Sequence, residues 1–268
     1  MTPVSRKPAL SPTKISTFLD CAVKYRYVYI DKIGRFYLRS RAGYSFGSTL
    51  HHVLQQFHDR GAAHTVEELT AEVVQRWIPD GYESAAQEQE YREAGRAIVE
   101  AYHQAHRERK AEEIITIATE KTITCDLGRF KLTGRVDRID RHPDGSLEII
   151  DYKSGRLETS ESEVLASLAM SCYQLILGKS YPGVPVRATI YSLRSGSRAT
   201  AELKGTDLVT FEQDLLALGE RILDTNYSAL DPAPVPACPD CDFLPRCERF
   251  WRHRAAEESP EPHSEFGL

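Results

Sequence analysis

Gly134-Arg-Val-Asp137-Arg-Ile-Asp140 is followed by His142-Pro-Asp-Gly145, and then by Ile149-Ile150-Asp151-Tyr152-Lys153-Ser154-Gly155. The first and last stretches alternate apolar and polar residues and read as β-strands. The Asp-Gly between them is a strong hairpin-turn signal. Such a hairpin brings Asp137 near Asp151 and Lys153. Residues 151 and 153 share a face, because side chains alternate along a strand. Two carboxylates and an ammonium on one patch can hold a divalent cation and activate water for phosphodiester cleavage. Taken alone, the same stretch also reads as a surface hairpin with an ordinary ion pair, which is common and weak.

A second signal lies near the C-terminus. Cys238-Pro-Asp-Cys241-Asp-Phe-Leu-Pro-Arg-Cys247 is a C-x2-C-x5-C cluster. Three thiols so close, in a proline-held loop, suit a metal centre. A fourth ligand is missing locally, and Cys21 is the best candidate. Cys125 lies in a strand pattern and Cys172 among apolar residues of a helix pattern, so both read as ordinary buried cysteines. Zinc and an iron–sulfur cluster both fit four thiolates. Disulfides are not expected in a chain that shows no signal peptide.

Together these residues resemble the RecB-type branch of the PD-(D/E)XK nuclease superfamily, and within it the iron–sulfur members: the AddB nuclease domain and the CRISPR-associated four-cysteine exonucleases. The likeness runs from about Leu10 to about Trp251. Its parts come in order: Ser11-Pro-Thr-Lys-Ile15 with Cys21, Gly47-Ser-Thr-Leu-His51, Gly134-Arg-Val-Asp137, Asp151-Tyr-Lys153, Tyr173-Gln174-Leu175 and the trailing cysteines. Each piece is weak alone, and six in order are strong. The resemblance implies a restriction-endonuclease-like α/β core, a mixed central β-sheet flanked by helices. It implies that His51, Asp137, Asp151 and the Tyr152 carbonyl hold Mg²⁺ or Mn²⁺. Lys153 would position the attacking water and stabilise phosphorane charge, and Gln174 would orient Lys153 or the scissile phosphate. Glu120 matches an acidic position upstream. Cys21, Cys238, Cys241 and Cys247 would carry a [4Fe–4S] cluster. The chemistry of the residues agrees: a hard cation prefers carboxylate oxygens, and a His ligand suits Mn²⁺ somewhat better than Mg²⁺. Read locally, His51 is more readily a satisfied histidine on an amphipathic helix, and Gln174 is equally a helix-surface amide.

The expected function is a metal-dependent DNA nuclease, an exonuclease on single-stranded DNA in repair or recombination. The alternatives are a CRISPR-adaptation nuclease trimming DNA before integration, and a non-catalytic iron–sulfur DNA-binding subunit of a helicase–nuclease complex. No G-x4-G-K-[ST] motif is present, so unwinding would come from a partner. The net charge of −5 argues weakly against a nucleic-acid partner, but its distribution does not. Residues 1–41 hold nine Lys and Arg against two Asp. Arg35, Arg39 and Arg41 are interleaved there with Tyr25, Tyr27, Tyr29, Phe36, Tyr37 and, just beyond, Tyr44. That pattern can track phosphates and stack bases, or turn its aromatics into a core. No apolar run approaches the roughly 20 residues that span a bilayer, and a cytoplasmic location is expected.

The length suits one large domain, expected over residues 10–254. A disordered start covers residues 1–9 and a disordered acidic tail 255–268. Ser11 and Pro12 open a helix expected to reach Tyr27. A basic loop covers 30–45. A helical part over 45–110 includes a capping-box start at Thr65-Val-Glu-Glu68. A sheet core covers 113–227, with strands over 114–125, 130–140, 147–153, 184–193 and 199–203, and helices over 160–177 and 208–227. The cysteine loop is expected over 228–251.

Overall fold

The computed structural model describes residues 7–109 and 113–258, with side chains to residue 252. Its contacts gather into two compact units. One takes the chain up to Thr13 together with Ser40–Arg221, and the other takes Lys14–Arg39 with the chain from Ile222 onward.

The first unit is built on a six-stranded sheet. Strand β2 (Ile115–Leu127), β3 (Phe130–Arg141) and β4 (Leu147–Lys153) form the expected antiparallel meander. Its turns sit where Asp-x-Gly and Asp-Gly place them: Gly128 and Gly145 both adopt positive φ, and the Gly128 N–H donates to Asp126 Oδ1 at 2.9 Å. Strand β5 (Val186–Ser192) runs parallel to β4, and β6 (Ser197–Ala201) antiparallel to β5. The parallel pair needs a crossover, supplied by α6 (Glu161–Ala166) and α7 (Leu168–Ser180). A single helix is expected there. Ser167 divides it, in extended backbone, and its side chain accepts the Met170 N–H as the cap of α7.

Three helices precede the meander: α3 (Ala42–Asp59), α4 (Val66–Gln75) and α5 (Ala85–Glu108). The Thr65 capping box forms as expected. Phe46, Leu50, Val53, Leu54 and Phe57 recur at helical spacing along α3. They pack with Leu69, Val99 and Tyr102, and against Ile150, Tyr152 and Tyr191 of the sheet. Helix α8 (Gly205–Asp224) follows β6. Among the described residues no helix is long and apolar enough to cross a membrane.

The expected disordered start needs correction. Residues 1–6 lie outside the described residues, but Lys7–Ala9 are placed. Ala9–Leu10 form β1, parallel to β3, with Leu10 buried and Lys7 paired to Asp126 at 2.6 Å.

In the second unit α1 (Pro12–Asp20) stops short of the expected Tyr27. Cys21 is extended (φ −167°, ψ 112°), and α2 (Ala22–Tyr25) restarts behind it, followed by a wider π turn over Arg26–Ile30. The expected loop over 30–45 contains a 3-10 turn at Gly34–Phe36, and α3 already begins at Ala42. Helix α9 (Leu244–Glu258) places Cys247 on a helix and extends into the stretch expected to be a disordered tail; residues 259–268 lie outside the described residues. In this unit Val23, Tyr27 and Phe243 form a small buried cluster, with Cys21, Cys241 and Cys247 against it.

Candidate active site and cysteine cavity

Helix α3 and strands β2, β3 and β4 bring the site together. His51 Nδ1 lies 3.2 Å from Asp137 Oδ1 and 3.5 Å from Glu120 Oε1. The three side chains form a compact set of possible metal-ligating atoms, all within 4.8 Å of one another. On the other edge of the ring, His51 Nε2–H donates to the Tyr152 carbonyl at 3.1 Å. That bond fixes the imidazole so that Nδ1 faces the carboxylates, as outer partners orient a metal-binding histidine. Burial alone would lower the His51 pKa. Asp137 and Glu120 more than reverse this and push it up to about 10. The proton on Nδ1 therefore sits where a cation would be welcome, and a divalent ion must displace it to bind.

Asp137 Oδ2 accepts the Tyr152 N–H at 2.7 Å, which ties the middle of β3 to the end of β4 beyond their last ladder pair, Arg138 with Ile150. Glu120 belongs to β2 and falls between the paired positions Thr119 and Lys121, opposite Asp137. Its φ is +43°, the one strand residue other than glycine at positive φ among the described residues. Such backbone costs about 1–3 kcal/mol and collects at functional sites. Arg135 Nε holds Glu120 Oε2 at 2.6 Å. Burial works against ionisation of Glu120, but His51 and Arg135 outweigh it and lower its pKa.

Lys153 Nζ lies 2.6 Å from Asp151 Oδ2, as the shared strand face requires. Burial disfavours the ammonium, yet Asp151 raises its pKa. Burial raises the Asp151 pKa in turn, against the pull of Lys153.

The geometry places the remaining sequence-predicted residues as follows. Glu120, not Asp151, completes the close set with His51 and Asp137, while Asp151 is engaged by Lys153. The Tyr152 carbonyl meets the far nitrogen of His51, away from the carboxylates. Gln174 is buried in α7, and its Oε1 accepts the Leu203 N–H at 3.0 Å; no described contact brings it to Lys153. Glu120 is legible as the acidic position upstream of Asp137, but alternation gives no sign of a left-handed residue within a strand.

The two glycines of the sequence pattern have steric reasons. A Cβ on Gly134 would lie 2.7 Å from Tyr173 Cδ1 and closer still to Cε1, so only glycine admits that ring. A Cβ on Gly47 would lie 3.0 Å from Ser154 Oγ, where α3 passes the loop after Lys153.

Behind the site, Arg138 is buried. It donates to His58 Nε2 and the Tyr102 hydroxyl, both at 2.6 Å, and to the Tyr152 hydroxyl at 3.0 Å. It also pairs with Asp140 at 2.9 Å. Burial and Arg138 keep His58 neutral.

The site opens into a groove of about 1020 Å³. Five Lys and Arg side chains line it against two carboxylates, so it is locally cationic in a chain of net charge −5. Arg41 and Tyr44 of the expected basic, aromatic stretch belong to it. Tyr25 and Tyr27 of that stretch are buried, and Phe36 is exposed beneath the Arg35 guanidinium.

In the second unit, Cys21, Cys238, Cys241 and Cys247 line one small cavity with Val23, Tyr27 and Phe243. The Lys24 N–H donates to Cys21 Sγ at 3.4 Å and the Val235 N–H to Cys238 Sγ at 3.3 Å. Burial, then the proximity of Cys241, Cys21 and Cys238, pushes the Cys247 thiol up to about 11. Among the described residues no three of these sulfurs lie within 4.8 Å of one another. Cys125 and Cys172 stand apart from this cavity, in β2 and α7 of the first unit.

Two solved structures align over most of the chain. A solved structure named "Putative exonuclease", from Eubacterium rectale, superposes with a TM-score of 0.54 at 13% identity, covering 90% of this chain and 88% of that one. The structure of SSO0001 covers 92% of this chain and 88% of its own at 14% identity, with a TM-score of 0.38. No curated protein matches the chain. The model of the PD-(D/E)XK nuclease superfamily matches residues 9–248. The mixed sheet flanked by helices is the restriction-endonuclease-like fold, and the chain belongs to the PD-(D/E)XK nuclease superfamily.

Proposed function

We propose that the chain is a Mg²⁺- or Mn²⁺-dependent deoxyribonuclease, an exonuclease that digests single-stranded DNA in repair or recombination. We take both units as parts of a single nuclease domain over residues 10–254. One observation carries the reading: an imidazole and two carboxylates converge beside a Lys–Asp pair at the base of a cationic groove. The donor set fits a hard divalent cation with one borderline ligand. His51, Glu120 and Asp137 would hold it, with Asp151 adjoining. When bound, the ion supplies Lewis acidity and lowers the pKa of a water.

The residues do the rest. Lys153 stays an ammonium, because Asp151 raises its pKa. It therefore acts by charge, stabilising the oxyanion that grows on the phosphate, and not as a base. Asp151 aims Lys153 through their 2.6 Å ion pair. The Tyr152 carbonyl holds the His51 ring in place. The exonuclease mode is supported by the name of the Eubacterium rectale neighbour, and the single-stranded substrate by the groove. A helicase or a CRISPR-adaptation protein is the kind of partner that would deliver such a strand.

We further propose that Cys21, Cys238, Cys241 and Cys247 carry a structural [4Fe–4S] cluster. Four thiols lining one cavity are the ligand set that such a cluster takes. The cluster would tie together two segments more than 200 residues apart in sequence around a small core, where closing a long loop contributes most.

The test is digestion of end-labelled single-stranded DNA with Mn²⁺, beside Asp151→Ala and Lys153→Ala. Cleavage lost in both variants, with the circular dichroism spectrum kept, supports the assignment, and the product ladder gives the polarity. Retained cleavage refutes it. A folded wild-type protein that cleaves nothing would favour a non-catalytic DNA-binding subunit.

A further inference from the structure

Along α3 the groove is lined by Gly43, Tyr44, Phe46, Gly47, Ser48, His51 and His52. Among them Tyr44, Gly47, Ser48, His51 and His52 keep the i, i+3, i+4, i+7, i+8 spacing of one helix face. Tyr44 is seven residues before His51, about 10 Å along the axis. A strand whose phosphate lies at the His51–Glu120–Asp137 set therefore reaches Tyr44 within a nucleotide or two. Tyr44 is 69% exposed, whereas the groove's other tyrosine rings, Tyr91 and Tyr152, are packed into the core around α3 and α5. Around it the wall is bare: a Cβ on Gly43 or on Gly155 would meet nothing within 4 Å. The cations stand along the same groove. Arg135 shares a strand face with Asp137 and is 62% exposed, Arg156 is 78% exposed, and Arg41 precedes α3. Arg194 is spent on structure, since it donates to the Ser154 carbonyl at 2.9 Å and lies over Phe46.

We propose that Tyr44 is a specificity-determining residue of this site. Its ring stacks on an unpaired base next to the scissile phosphate, while Arg135, Arg156 and Arg41 contact the flanking phosphates. The ligand is a single nucleic-acid strand read without sequence preference. This deepens the nuclease reading and rests on it. An aromatic ring accepts any base whose face is free, and each such stack contributes about 1–3 kcal/mol. Paired bases are already stacked on their neighbours and offer no free face, so the ring favours unpaired strands.

The test uses the full-length protein with EDTA, so that binding is read without cleavage. The probes are a fluorescein-labelled oligothymidylate and an abasic strand with the same number of phosphates, followed by anisotropy. Wild-type protein is expected to bind the thymidylate about 10-fold more tightly than the abasic strand. Tyr44→Ala should bring that ratio close to one and Tyr44→Trp should keep it. Arg156→Glu should weaken both probes alike and reduce the salt dependence. The exposed position of Tyr44 leaves folding intact, which a thermal melt checks. A ratio unchanged in Tyr44→Ala overturns the proposal, as does wild-type protein that fails to separate the two probes. Because the readout is binding, its failure is distinct from failure of the nuclease reading, which the Asp151 and Lys153 variants decide.

Discussion

Replacing Arg138 by methionine removes the cation from the buried network behind the site. In the folded protein its guanidinium touches Asp140, His58, Tyr102 and Tyr152. After the change, Tyr102 still bonds Tyr152 at 2.8 Å and His58 at 2.7 Å, so the neutral groups keep partners. Asp140 does not fare as well. It is 4% exposed and retains only the Thr116 hydroxyl, at 2.8 Å, among the described hydrogen bonds. The dominant cost is therefore one buried carboxylate left without its counter-charge, about 3–5 kcal/mol. For a unit of this size each kcal/mol shifts Tm by about 2–4 °C, so a fall of about 6–20 °C is expected. Thermal melts followed by circular dichroism measure it. The double variant Arg138→Met with Asp140→Leu leaves no buried charge stranded and should recover most of the loss. A single variant within about 1 kcal/mol of wild type would refute the reasoning, as would a double variant no better than the single.

Gly134→Ala should destabilise by about 1–3 kcal/mol through its clash with the Tyr173 ring, with Tyr173→Leu relieving it, read from urea midpoints. Glu148 is buried against Arg198, His142 and Thr189. Although burial opposes ionisation, these partners, Arg198 foremost, lower its pKa from 4.5 to about 2. Because the folded value is the depressed one, its contribution is present above about pH 4.5 and is lost as pH falls toward 2, about 3 kcal/mol at most. Glu148→Gln should accordingly flatten the acid limb of stability in that window, measured by denaturant titration at several pH values. Anaerobically purified protein should be brown and contain iron, and Cys247→Ser should lose both; a colourless protein containing zinc would contradict the cluster assignment.

Much of the sheet was legible because its signals are local. Alternation marks β3 and β4, Asp-Gly sets their turn, and Thr65 with Glu68 caps α4 through side chains three residues apart. The same alternation puts Asp151 and Lys153 on one face of β4, where they pair. What was missed depends on tertiary partners. Strand β1 is two residues long and has no period to detect, being held by Lys131 and Leu132 of β3. Cys21 reads as a mid-helix residue, yet its backbone is extended and its sulfur caps the next turn. Glu120 reads as an upstream acidic position, but the left-handed backbone that brings it to His51 is one that no propensity suggests. Arg138 looks like an outward strand cation, but the hydroxyls and imidazole that bury it come from α3, α5 and β4. Gln174 is claimed by Leu203, a partner 29 residues away.

The central claim is that His51, Glu120 and Asp137 form the metal centre of a nuclease. Comparing Mn²⁺-dependent cleavage of single-stranded DNA by wild type and by Glu120→Gln, which keeps shape and removes charge, tests it most directly. The expected result is metal-dependent cleavage by wild type and a loss of about 100-fold or more in the variant, with folding preserved. Cleavage by Glu120→Gln within a few-fold of wild type at limiting Mn²⁺ would contradict it.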